Sequence, residues 1–184
     1  MNRQKVRNTV FLAVSAALAV VLMLTVRFPL FAAAPFLEYD MGDIPVLIAT
    51  VLAGVPGGLA VLATVSVIQA LTVSASSGFV GCIMHLLASG AYVIAAGLIY
   101  KTKKNVPSLI AGLCVGAVLM TLVMIPCNLV LTTYFLGTPV EAVKQMLLPV
   151  IIPFNLIKGV INAAVTLALY KPLSIVYTKL KKEA

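Results

Sequence analysis

The stretch "IPVLIATVLAGVPGGLAVLATVSVIQALTVSASSGFVGCIMHLLASGAYVIAAGLIY", Ile44 to Tyr100, runs for 57 residues without an Asp, Glu, Lys or Arg. One membrane-spanning helix needs only about 20 apolar residues, so a run of this length crosses a hydrocarbon core more than once. Lipid accepts only helices and closed barrels, because no water is present to satisfy stray backbone groups. The apolar residues here are continuous rather than alternating, which selects helices. Two breaks with turn chemistry, "GVPGG" at Gly54 to Gly58 and "SASSG" at Ser74 to Gly78, divide the run into three helices over roughly 44–54, 58–73 and 79–100.

Outward from this run, the first span covers about Asn8 to Val26 and ends at Arg27-Phe28-Pro29. Its basic start and the Ala17-Leu18-Ala19 triplet mimic a signal peptide, but the apolar run is longer than a signal core and reads as a retained helix. The segment "LFAAAPFLEYDMGDIP" that follows holds two prolines, a glycine and three acids, and reads as an outside loop. A fifth helix runs from about Pro107 to Phe135 and is kinked at Pro126. After a loop carrying Gly137, Pro139, Glu141 and Lys144, a sixth helix covers about Pro149 to Tyr177. The expectation is an all-α integral membrane protein of six transmembrane helices, a single domain over residues 1–184, with both termini cytoplasmic.

Composition agrees. The chain is 62% hydrophobic and 10% charged, with a mean hydropathy of +1.14, far from the balance of soluble domains. Its net charge of +8 would suit nucleic acid, but the distribution argues for orientation in a membrane. Arg3, Lys5 and Arg7 precede the first span, Lys101, Lys103 and Lys104 fill one loop, and Lys171, Lys179, Lys181 and Lys182 close the chain, which is ten of the thirteen basic residues. Four of the five acids, Glu38, Asp40, Asp43 and Glu141, fall in the intervening loops. Lys and Arg near span ends mark the cytoplasmic side, so the basic clusters lie inside and the acidic loops outside. Nucleic-acid binding is excluded on this ground. Cys82, Cys114 and Cys127 lie in apolar runs without CxxC spacing, which argues against a disulfide or a metal site and for small packing residues.

The segment "PFNLIKGVIN", Pro153 to Asn162, places a lysine roughly nine residues below the outer end of the sixth helix, ~14 Å deep in a ~30 Å core. Snorkelling recovers only part of that depth. Asn155, Lys158 and Asn162 fall at i, i+3, i+7 and share one helical face. Such a stripe forms either a ligand site or a polar contact between helices. Asn128, after Pro126 and Cys127, either bonds across the bundle or faces the same cavity. His85 is the only histidine, and without further ligands around it a packed or ligand-facing imidazole is expected rather than a metal site. Gln69, Ser89 and Thr121 are ordinary polar residues in spans. In "FLEYDMGDIP", Asp43 is placed to cap the second helix, and Phe36, Glu38, Tyr39 and Asp40 form either a solvated loop or a lid over the outward opening.

Several features are absent. No GxxxxGK[ST] is present, so the chain carries no P-loop ATPase of its own. All five acids lie in loops or at the tail, which leaves no carboxylate in a span for proton relay. A membrane enzyme acting on lipid would need a nucleophile with its base or a metal cluster. Ala13 and Ala17 of the first helix, flanked by Ala16 and Ala19, make the small-xxx-small pattern that admits a neighbouring helix, inside the bundle or from another protein.

The six helices, "FPLFAAAPFLEYDMGDIPVLI" in the first loop and second helix, "VMIPCNLV" in the fifth and "PFNLIKGVIN" in the sixth resemble the substrate-binding S components of bacterial energy-coupling-factor (ECF) vitamin transporters, most closely those for riboflavin. The resemblance covers nearly the whole chain. It implies that Asn128, Asn155 and Lys158 hydrogen-bond the flavin ring, and that the first loop, with Glu38, Tyr39 and Asp40, covers the site. It implies that Ala13 and Ala17 dock on a transmembrane coupling subunit driven by two cytoplasmic ATPases. The implied protein is a non-enzymatic, multi-pass component of the bacterial cell membrane, bedded in lipid, with riboflavin as its cargo and no cofactor or metal. Related S components carry pantothenate or thiamine on the same scaffold, which with a non-catalytic membrane scaffold is the alternative.

Overall fold

The computed structural model describes residues 3–32, 34, 37–74 and 78–182. Phe36 and the middle of the "SASSG" break, residues 75–77, lie outside the described residues. The helices are α1 (Arg3–Thr25), α2 (Asp43–Ala53), α3 (Val55–Leu71), α4 (Gly78–Lys103), α5 (Val106–Cys127), α6 (Thr133–Leu136), α7 (Val140–Met146) and α8 (Ile152–Lys182). A π-helical turn, Asn128–Thr132, joins α5 to α6, and a second, Leu147–Ile151, joins α7 to α8. Counted as continuous runs these are the six expected helices, with the first starting earlier and the last extended at both ends. Among the described residues, four runs are long and apolar enough to cross a membrane: Arg3–Thr25, Gly78–Lys103, Val106–Phe135 and Val140–Lys179. The other two, α2 and α3, are shorter apolar helices.

The shortness of α2 shapes the molecule. Its 11 residues span about 16 Å, half a hydrocarbon core. Residues Asp43 to Val51 are all buried, as expected of a helix that is apolar all round and surrounded by others. It packs against α1, α3, α4 and α8, and its Val46, Leu47 and Ala49 join Ala19, Met23, Tyr92, Leu113 and Met120 in the core. Gly54 alone separates α2 from α3 with φ 88°, a conformation glycine adopts without a Cβ penalty. Pro56, in the first turn of α3, needs no N–H there.

The long helices pack in sequence, α4 on α5 and α5 on α8. At Gly159 a Cβ would lie 2.7 Å from that of Ala117, so only glycine lets α8 approach α5 this closely. The Gly159 carbonyl in turn accepts the Tyr92 hydroxyl at 3.0 Å. Pro126 lies inside α5, where its missing N–H and ring break the ladder. The π-helical turn Asn128–Thr132 follows two residues later.

The first loop departs from an all-helical plan. Strands β1 (Arg27–Pro29) and β2 (Glu38–Asp40) pair antiparallel, with Arg27 opposite Asp40 and Phe28 opposite Tyr39. The Arg27 and Glu38 side chains form an ion pair on this ribbon. At the other end of the bundle the basic clusters converge. Phe11 of α1 packs against Tyr177 of α8, ring centroids 4.8 Å apart and planes tilted by 56°, and Tyr100 of α4 meets Tyr170 of α8 with hydroxyls 2.8 Å apart. The described acids Glu38, Asp40, Asp43 and Glu141 lie at the ribbon, the start of α2 and α7, away from these clusters.

Candidate ligand site

Lys158 sits on α8 at 8% exposure, and a buried ammonium without countercharge would be prohibitive. Two carboxylates supply it. Its Nζ lies 3.3 Å from Asp40 Oδ2 and 3.3 Å from Asp43 Oδ2. Asp43 Oδ1 is 3.0 Å from His85 Nε2, and its Oδ2 accepts from the Ser89 hydroxyl at 3.1 Å. His85 Nδ1 is 2.9 Å from Ser66 Oγ. A neutral imidazole with its proton on Nε2 satisfies both contacts, donating to Asp43 and accepting from Ser66. Asp40 Oδ1 accepts the Gly42 N–H at 2.9 Å. Asp43 stands in the first turn of α2, where the helix dipole favours negative charge.

This network overturns two expectations. Asp43 does not cap α2; Gly42 holds the cap position without a side-chain bond, and the Asp43 side chain, 2% exposed, points into the bundle. Nor do all the acids lie in loops or at the tail, since Asp43 belongs to the first turn of α2. Because α2 is short, its first turn starts inside the protein, and Asp40 and Asp43 go down with it. A lysine at mid-depth calls for a buried countercharge. With only five acids in the chain and three of them in one loop, that pairing was the available signal.

Beside Lys158 lies a cavity of about 150 Å³. Its floor and sides are apolar and adaptable: Met84 and Ala88 of α4, Met120 and Met124 of α5, Phe154 of α8. Its polar groups are Glu38 and Asp40 of β2, Gln69 of α3, His85 and Ser89 of α4, and Asn155 and Lys158 of α8. Lys158 has three N–H donors and two carboxylate partners, which leaves one donor for a ligand. Asn155 spends one Nδ2 proton on the Ile151 carbonyl at 2.8 Å and keeps its other amide groups. Gln69 Oε1 is buried without a hydrogen-bond partner. Gln69 and Ser89 carry no signal in the sequence because such polar residues are ordinary within spans, whereas His85, expected as a packed or ligand-facing imidazole, lines the cavity.

The cavity thus gathers Glu38, Asp40, Asn155 and Lys158 from the expected set, and not the other two. Tyr39 lies behind the wall, fully buried, its hydroxyl donating to Asn162 Oδ1 at 3.0 Å and its ring 5.4 Å from Phe28. Burial pushes its phenol up to about 12, against the lowering influence of Lys158, so it stays a neutral donor. Asn128 opens the first π-helical turn and donates to the Met124 carbonyl at 2.8 Å. It lies four residues beyond Met124 and is not among the residues that line the cavity. The polar stripe of α8 continues from Asn162 to Thr166, both fully buried. Among the described residues no group of three or more His, Cys, Asp or Glu could hold a metal ion.

A second hollow has the opposite character. Ala13 and Ala17 face outward and line an open groove of about 700 Å³ between α1 and α3, with Leu12, Val20, Ala60 and Thr64 around them. Ser15, Ala19 and Met23 form the inward face of α1. The alanine pair therefore does not pack inside the bundle.

Comparison with known proteins identifies this architecture. The family model for the substrate-specific component of ECF transporters matches residues 7–170. The chain belongs to that family. It is 30% identical over 185 residues to the riboflavin transporter FmnP of Bacillus subtilis (strain 168), covering 96% of this chain and 93% of FmnP. It is 29% identical to the riboflavin transporter RibU of Staphylococcus aureus (strain TCH60), over 95% of this chain and 94% of RibU. Among solved structures, an S component of a bacterial ECF transporter superposes with a TM-score of 0.78 at 30% identity, over 94% of this chain and 98% of the other. The protein is a multi-pass membrane component of a transporter and not an enzyme.

Proposed function

We propose that this S component captures riboflavin from outside the cell and passes it inward through a coupling subunit powered by two cytoplasmic ATPases. The observation that carries the reading is the run of relatives named as riboflavin transporters, matching along almost the whole chain. The cavity chemistry supports it. A flavin ring is flat and apolar with carbonyl oxygens, ring nitrogens and one imide N–H at its edge, and a wall of methionines with one phenylalanine offers polarizable contact to such a ring. The spare Lys158 donor, the Asn155 amide and Gln69 Oε1 then address its polar edge, with Asn128 joining as the cavity widens.

Widening is required, because about 150 Å³ falls below the ~300 Å³ at which drug-sized ligand sites begin. The β1–β2 ribbon is the movable wall. It carries Glu38 and Asp40 and is tied to α8 by the Asp40–Lys158 pair, so that it acts as a lid whose latch is part of the site. Residues 1–184 form one domain with six crossings and both ends cytoplasmic, on the positive-inside rule. The open α1–α3 groove, with Ala13 and Ala17 in it, receives a helix of the coupling subunit.

The test is the visible absorption spectrum of detergent-purified protein, followed by a riboflavin fluorescence-quench titration. Co-purifying flavin bands, or quenching that saturates at one ligand per chain, are expected. A colourless protein that does not quench sinks the flavin assignment while leaving the family intact, and a panel with pantothenate and thiamine would follow.

A further inference from the structure

A third hollow, of about 830 Å³, opens at the basic end of the bundle between the α2–α3 corner, the end of α4 and the end of α8. It is amphipathic. Leu52, Val55 and Leu98 supply an apolar side, whereas Lys101, Lys104, Ser174 and Thr178 supply a polar rim. Neither lysine ammonium has an ion-pair or hydrogen-bond partner among the described residues. The described acids all lie toward the opposite end. Lys104 is held at φ 50°, a left-handed conformation after a helix where glycine is the usual residue. Lys104 thus keeps its side chain at a position whose backbone disfavours any Cβ.

We propose that this hollow is a binding site for one anionic phospholipid of the inner leaflet. The phosphate lies between Lys101 and Lys104, with Ser174 and Thr178, whose hydroxyls donate to the Lys171 and Ser174 carbonyls, on the polar rim, and an acyl chain runs along Leu98 and Val55. Inner-leaflet anionic headgroups are attracted to basic clusters at the cytoplasmic ends of helices, and basic pockets between helices hold them specifically. The dimensions and the split lining fit a headgroup with the start of a chain better than a small soluble anion, which has no use for the apolar side. The assignment to the inner leaflet rests on the orientation proposed above. A lipid seated here touches α2, α3, α4 and α8 together, and so bears on the corner from which α2 rises to the ligand site.

The test uses the full chain in detergent, offered equal amounts of phosphatidylglycerol and phosphatidylcholine, with retained lipid counted by native mass spectrometry. One phosphatidylglycerol per chain is expected to survive in excess over phosphatidylcholine. The variant Lys101→Gln with Lys104→Gln should lower that preference by roughly 25-fold, at about fivefold per lysine near an anionic surface. Lys103→Gln, in the same cluster but outside the hollow, should leave it unchanged. Lys104→Gly removes one charge and relaxes the backbone, and should lower the preference by about fivefold without loss of folding. An unchanged preference in the double variant, or an equal fall with Lys103→Gln, overturns the site in favour of diffuse charge attraction. Riboflavin quenching measured on the same samples separates the two readings: loss of flavin binding with lipid preference intact breaks only the function proposed above.

Discussion

The cavity beside Lys158 and the groove along α1 are both hollows bordered by α3, and they are built for opposite kinds of occupant. The cavity is small, ringed by hydrogen-bonding groups, and backed by three buried charges that hold one another in place. The groove is more than four times larger, open and lined by alanine, leucine and valine. A recognition site needs groups that are costly to bury and therefore fixed, because a buried donor or acceptor discriminates by what it loses when unpaired. A surface for a passing helix needs the reverse, small side chains that permit close approach and ask for no particular partner. In a transporter component that must hold one solute and change contacts with a larger assembly, the two demands are met on different faces of the same bundle.

The sharpest way to break the comparison is at Lys158. Lys158→Ala leaves Asp40 and Asp43 buried and facing each other, and removing one partner of a buried pair costs about 3–5 kcal/mol. Thermal unfolding should drop steeply and flavin quenching should be lost. The combination Lys158→Met, Asp40→Asn and Asp43→Asn removes all three charges. It should recover much of the stability, since replacing a whole buried pair by neutral groups is close to neutral, yet it should still fail to bind. Recovery of binding in the triple variant would mean that Lys158 serves structure and not the ligand.

The opposite result is expected at the groove. Ala13→Leu with Ala17→Leu fills the surface with bulk that keeps a partner helix away. Riboflavin affinity of the purified chain should not change, because neither side chain lines the cavity. Uptake into cells and co-purification of the coupling subunit should fall at least tenfold, a barrier of ~1.4 kcal/mol. Uptake at the wild-type rate would move docking to another face. A smaller effect is expected at Asn155→Ala, which removes amide groups from the cavity and one bond to the Ile151 carbonyl. Loss of one such contact, at ~1–2 kcal/mol, weakens binding roughly tenfold in the quench titration, with little change in unfolding temperature.

How much of this was legible in the sequence follows from what kind of signal each feature leaves. The helices were legible because hydrophobic runs are long and their breaks carry glycine and proline, as at Gly54 and Pro56. Lys158 and Asn155 were legible because depth in a membrane makes polarity conspicuous. The β1–β2 ribbon was not, since strands of three residues are too short to alternate visibly. Pro126 announced a break but not the π-helical turn that follows it. The burial of Asp40 and Asp43 was left open between a solvated loop and a lid, because an acid beside a turn suits either until the loop is known to fold inward. The roles of Gln69, His85 and Ser89 depend on three helices meeting, and no local pattern records that.

Tyr39 tests whether the lid and the polar stripe of α8 act as one unit. Its hydroxyl bonds Asn162 Oδ1 at 3.0 Å from a fully buried position, and Asn162 Nδ2 already lacks a partner. Tyr39→Phe would leave the amide without either bond, a cost of ~1–2 kcal/mol for a buried acceptor. Because the phenol titrates only near 12, the folded-state contribution of this bond should be constant from neutral pH to about pH 10. Unfolding measured across that range should show the wild type above Tyr39→Phe by the same margin throughout. If the ribbon were an independent flap, the substitution would loosen it locally and leave global unfolding unchanged. A lowered unfolding temperature, with flavin release faster by a few-fold, is the result expected of a lid whose hinge is anchored in the same helix that holds the ligand.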